Sequence, residues 1–84
     1  MKSVGELWSY TLKELRLMTV TSCWELIFAQ CFPLPPEDGL FVLGTRSRYV
    51  HELMELRWHK LPEDVLSSFV GRPVQVKTVL VDHQ

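Results

Sequence analysis

Glycine is scarce in this chain, and its scarcity removes whole classes of chemistry. The four glycines stand isolated at Gly5, Gly39, Gly44 and Gly71. No glycine-rich loop is present to cradle a nucleotide phosphate, and the GxxG clamp of KH-type nucleic-acid binders is missing. Cysteine is scarcer still. Cys23 and Cys31 have no CxxC partner, which reads as two reduced thiols in a cytoplasmic protein rather than a disulfide frame or a zinc site. His51, His59 and His83 are scattered. His51 and Glu55 sit one helical turn apart, a spacing for an ion pair, and two ligands do not make a metal centre. No apolar run approaches the roughly 18 residues of a membrane helix. The start Met1-Lys2-Ser3-Val4-Gly5-Glu6 lacks the apolar heart of a secretory signal. Neither sign of charge dominates. Nine basic and ten acidic residues leave a net charge of −1, with no global pull toward nucleic acid or an anionic membrane. There is no serine–histidine–aspartate order and no nucleophile elbow. Acid pairs such as Glu52 with Glu55, or Glu63 with Asp64, read as helix solvation and capping. The expectation is a protein that is not an enzyme and uses no metal and no cofactor.

What is present is mostly apolar. Of the 84 residues, 46% are hydrophobic and 11% aromatic, too many for a disordered chain and enough for one domain, residues 1–84. Charge is uneven along it. Residues 1–45 set Lys2, Lys13 and Arg16 against Glu6, Glu14, Glu25, Glu37 and Asp38, a balance of −2. Residues 46–60 set Arg46, Arg48, Arg57 and Lys60 against Glu52 and Glu55, a balance of +2. That polarity suits docking on a charged protein surface and falls short of the basic stripe of a DNA reader.

The apolar pattern orders the elements. Ser3 and Glu6 make a capping box, and Val4, Leu7, Trp8, Leu12 and Leu15 then recur at helical spacing. The β-branched run Thr19-Val20-Thr21 interrupts that helix. Ser22 with Glu25 reads as a second box, followed by an apolar face of Trp24, Ile27, Phe28 and Cys31 with Leu26 at its edge. Pro33, Pro35 and Pro36 end helical structure, so Phe32 to Leu34 is expected as a short edge strand. Asp38-Gly39 is a turn signal, and Leu40 to Leu43 is the strand after it. Four consecutive apolar residues there call for burial on both faces of the sheet, or a helix laid over one of them.

Ser47 caps a third helix running to about Trp58, with Val50, Leu53, Met54 and Arg57 or Trp58 on the period. Leu61-Pro62-Glu63-Asp64 begins a fourth. Val65, Leu66, Phe69 and Val70 form its apolar side, and Gly71 ends it. Val74, Val76, Thr78 and Leu80 alternate with Gln75, Lys77, Val79 and Val81 in a final strand. The predicted fold is α+β, a KH-like small domain in the order α-α-β-β-α-α-β. Its three-stranded sheet is packed against helices on one side. The expected core is Leu12, Leu15, Trp24, Ile27, Leu53, Leu66, Phe69 and Val76. Two readings stay open for Trp8: core packing, or a self-association face shared with Leu7 and rimmed by Tyr10. Two stay open for Arg46 and Arg48 beside Tyr49: protein-docking charges, or a weak contact to an anion such as nucleic acid.

Taken in order, these landmarks resemble the N-terminal domain, domain I, of the bacterial replication initiator DnaA. The likeness covers about residues 5–81. The family's opening Leu-Trp and its two following leucines stand here as Leu7, Trp8, Leu12 and Leu15. Its second-helix pattern of Thr or Ser, an acid, Phe, and Trp three later falls on Ser22, Cys23, Trp24 and Ile27. Its turn and strand fall on Glu37 to Leu43. Its Asn-x-Phe-Val helix start falls on Ser47-Arg48-Tyr49-Val50, closed by Trp58, with Gly71 before the last strand. The acid is therefore Cys23, the phenylalanine Tyr49, the asparagine Ser47, and the second tryptophan Ile27. These 84 residues hold neither the motor nor the DNA-reading domain of full initiators. The resemblance implies a cytoplasmic protein–protein interaction module in DNA replication initiation. Leu7, Trp8 and Tyr10 would carry a weak homodimer. Cys23, Arg46, Arg48 and Tyr49 would border the surface for the replicative helicase or an initiation regulator. The alternatives are a weak single-stranded nucleic-acid-binding domain and an anti-initiator that blocks initiator assembly.

Overall fold

The Ser3 hydroxyl accepts the Glu6 amide at 3.2 Å, and the Glu6 carboxylate accepts the Ser3 amide at 3.1 Å. Both halves of the capping box are thus closed and launch α1, Val4–Met18. The structure, a computed structural model, describes residues 3–81. Met1, Lys2 and residues 82–84, which include His83, lie outside the described residues. Thr19 and Val20 take extended backbone and break the helix as their β-branching predicts.

The second helix, α2, departs from expectation at its start. It spans Thr21–Leu26 with Val20 at the cap position, and no side chain caps it. Ser22 already lies inside the first turn, so the predicted Ser22–Glu25 box does not form. Extended Val20 turns its own carbonyl to the Trp24 amide at 3.1 Å, and the helix needs no hydroxyl to begin. α2 stops at Leu26, and a tight single turn, Phe28–Gln30, carries the chain into the sheet. The apolar face is kept through that change: Ile27, Phe28 and Cys31 are buried, and Trp24 is half-buried. Leu26 is exposed.

β1, Cys31–Glu37, pairs antiparallel with β2, Leu40–Thr45, and β2 pairs parallel with β3, Val76–Leu80. β2 is therefore the central strand. Asp38 and Gly39 both take positive φ, 49° and 78°, the left-handed pair that a two-residue hairpin turn demands. Three prolines in β1 fit only because β1 is an edge strand, and the pairing slips between Leu34 and Glu37, where Pro35 and Pro36 sit.

The hydroxyl of Ser47 accepts the Val50 amide at 3.2 Å and starts α3, Arg48–Leu53. The helix continues as one wide π turn, Met54–Trp58. The Met54 carbonyl takes the His59 amide at 3.3 Å and the His59 Nδ1 at 2.6 Å. The turn buries Met54, half-buries Trp58 edge-on to Phe28, and turns Leu56 to solvent. α4, Lys60–Val70, follows directly with Pro62 in its first turn.

All the helices face one side of the sheet, around a core of Trp8, Leu15, Ile27, Phe28, Cys31, Phe41, Leu43, Val50, Met54, Val65 and Leu66. Of the predicted core, Leu15, Ile27 and Leu66 are buried, and Leu12, Trp24, Leu53 and Val76 pack against it half-buried. Phe69 is the exception. It is 45% exposed and meets Tyr10 of α1 at 5.6 Å between ring centres. The helical period placed Phe69 correctly on the α4 face, but that last turn packs beside α1 rather than over the sheet, and Val70 is exposed with it.

Candidate functional site

Trp8 settles between its two readings. It is 3% exposed, its indole Nε1–H donates to the Cys31 carbonyl at 3.2 Å, and its ring lies 6.4 Å from that of Phe41. A buried tryptophan with its one donor satisfied is a core residue, so the expectation of a water-facing Trp8 is corrected. The N–H finds the carbonyl because α1 crosses the start of β1. Leu7 is half-buried. Of the three predicted self-association residues, only Tyr10 is exposed; its ring meets that of Phe69 at a tilt, with the Lys13 ammonium 6.0 Å from its ring centre. No local pattern pairs Phe69 with Tyr10, because the two come from opposite ends of the chain.

Three residues of the second predicted surface, Arg46, Arg48 and Tyr49, lie around the start of α3. Ser47 fixes the start of α3, and this puts Arg48 and Tyr49 in its first turn. Tyr49 is 65% exposed, and Arg46 and Arg48 are exposed beside it. Neither arginine makes an ion pair among the described residues. The Arg46 guanidinium lies 5.9 Å from the centre of the Phe32 ring, a cation–π contact that holds its stem while leaving the charge wet. Arg46 and Ser47 close one wall of an open cleft of about 430 Å³, whose other wall is Ala29, Gln30, Cys31 and Phe32. Cys23 does not line that cleft; it is half-buried on α2. The fold thus groups Arg46, Arg48 and Tyr49 and leaves Cys23 at the side.

Among the described residues, no group of three histidine, cysteine or acidic side chains could hold a metal ion. No helix among them is long and apolar enough to cross a membrane. The His51–Glu55 pair is present at 3.8 Å on the surface, where such a contact is worth about 0–1 kcal/mol and needs a protonated imidazole.

The two thiols differ. Burial pushes the Cys31 thiol up to about 12 from its ordinary 9.0, and its Sγ contacts the Ile27 carbonyl at 3.5 Å. A native-state alkylation series at neutral pH is expected to modify Cys23 first, with Cys31 reacting only as the chain opens. Because the folded pKa is raised, Cys31 favours folding fully below about pH 9, and that contribution is lost as pH rises toward 12. Each pH unit in that window removes at most about 1.4 kcal/mol. Denaturation midpoints for wild type and Cys31→Ala should converge between pH 9 and 12; parallel pH profiles would contradict this.

No family model matches the chain, and a search of the curated proteins finds no match.

Proposed function

We propose that this chain is a protein–protein interaction module of the DnaA domain I type, working in DNA replication initiation. Its α3 start docks an acidic surface of a replicative helicase or an initiation regulator. The observation that carries the reading is an exposed aromatic, Tyr49, directly after Arg48 and three residues after Arg46, neither arginine making an ion pair among the described residues. Exposed aromatic and arginine side chains near one another in the chain are the composition of an interface hot spot. Charges left without a partner steer association with an acidic surface. The ordered landmarks from Leu7 to Gly71 and the α-α-β-β-α-α-β element order agree with the same reading. Binding is reversible contact, strengthened where neighbouring modules raise the local concentration. The cytoplasmic location belongs to this proposal.

The test is titration of purified replicative helicase into the isotope-labelled chain. Amide shifts should cluster at residues 46–50. Tyr49→Ala should weaken binding by about tenfold or more, the scale of a hot spot losing roughly 1.4–2 kcal/mol, and raised salt should slow association. If the helicase and initiation regulators all leave the spectrum unchanged, the reading fails. If single-stranded DNA shifts the same amides at low salt while the proteins do not, the domain is a nucleic-acid binder instead.

A further inference from the structure

The four apolar residues of Leu40 to Leu43 call for burial on both faces of the sheet, yet the helices cover only one. The strand register places Phe32, Leu34, Val42, Gly44, Lys77 and Val79 together on the opposite face. None of these belongs to the helical core or its half-buried rim. A solvated face of an antiparallel ribbon ordinarily alternates to polar residues; here lysine is the single exception. A Cβ on Gly44 would lie 2.6 Å from Phe32 Cε1 and 3.0 Å from Leu34 Cδ1, so glycine lets these two side chains lie down over the central strand. Val42 on the same face is 3% exposed and stands outside the helical core.

The ends of this face carry opposite charge. Arg46 lies over Phe32 at one end. At the hairpin end, Glu37 and Asp38 outweigh Lys77, which reaches Glu37 at 3.4 Å. Edge-to-edge growth of the sheet is disfavoured. Proline removes donors from the β1 edge, and the Val76 amide on β3 is taken by Glu63 at 2.9 Å. Face-to-face stacking is open.

We infer that this uncovered sheet face binds a second copy of the chain, about a two-fold axis lying in the interface across the strands. This rests on the weak homodimer that belongs to a domain I type of module, as proposed above, and supplies the surface that buried Trp8 cannot. An axis across the strands lays β1 over its counterpart with reversed direction. Each Arg46 then meets the acidic hairpin of its partner twice over, and the apolar strip faces itself. An axis along the strands would set Arg46 against Arg46, and charge rejects it. Three strands about 4.8 Å apart and five residues of about 3.3 Å give a strip of roughly 15 by 17 Å. That is well under the ~800 Å² per partner of a standard interface, so the dimer is weak and concentration-dependent.

Sedimentation equilibrium of the whole chain from about 10 µM to about 1 mM spans the affinities of such a small interface. The average mass should climb from 9.8 kDa toward twice that value. Val79→Lys should hold the chain monomeric throughout. Arg46→Glu and Glu37→Arg should each weaken the dimer about tenfold, since two symmetry-related contacts invert together. The double swap should restore it, a rescue that general loss of fold would not give, and amide spectra check that each variant is folded. A monomer at every concentration overturns the inference. So does a dimer indifferent to Val79→Lys and to both charge reversals; if that dimer yields to Tyr10→Ala, association runs through α1. Helicase titration at Tyr49 reads the broader function separately, so either idea can fall alone.

Discussion

Phe28→Ala is expected to cost about 3–5 kcal/mol, the range for truncating a fully enclosed phenylalanine. The ring is 0% exposed, meets Trp58 edge-on at 6.1 Å, and sits in the single turn that links α2 to β1. No neighbour is free to collapse into the space, because Leu15, Leu43, Met54 and Leu66 are themselves fully enclosed. A chain of 84 residues has a total stability of about 4–13 kcal/mol, so the variant loses a large share of it. Urea denaturation should show a midpoint lower by more than about 1 M with an unchanged slope. Leu26→Ala, two residues earlier and 64% exposed, should stay within about 0.5 kcal/mol of wild type. Equal effects at the two positions would place the core elsewhere.

The second large effect is at Trp8, where two substitutions separate structure from association. Trp8→Ala should cost about 3–5 kcal/mol by opening a cavity beside Phe41. Trp8→Phe keeps a ring but removes the donor to the Cys31 carbonyl, which costs about 1–3 kcal/mol. Under conditions where Trp8→Phe remains folded, its self-association should equal that of wild type. A loss of association with an unchanged denaturation midpoint would return Trp8 to an interface role.

Much of the fold was legible because local chemistry and tertiary packing agree. Ser3–Glu6, Asp38-Gly39, Ser47 and Pro62 each act within a few residues of where they stand, and all four do as their chemistry dictates. The errors arise where one local pattern admits two answers. Ser22 with Glu25 has the spacing of a cap, yet Val20 starts the helix first. Phe69 lies on the apolar face of α4, and only the tertiary arrangement decides that this turn meets Tyr10 instead of the sheet. Trp8 has the helical phase of both a core residue and a surface anchor. Its indole donor resolved the matter, through a carbonyl 23 positions away. The candidate site was more legible than its geometry. The sequence puts Arg46, Arg48 and Tyr49 side by side, but it does not say that Phe32 holds Arg46 or that Cys23 stands apart.

The parallel pairing of β2 with β3 has a temporal consequence. The hairpin and its helices can gather soon after synthesis, but the flank of β2 that takes β3 stays empty until residues 46–75 have emerged and Val76–Leu80 arrives. Closure across that span is the slowest kind of contact to make. A nascent chain halted before Val76 would display an unzipped central strand, its backbone N–H and C=O groups on that flank open to passing chaperones.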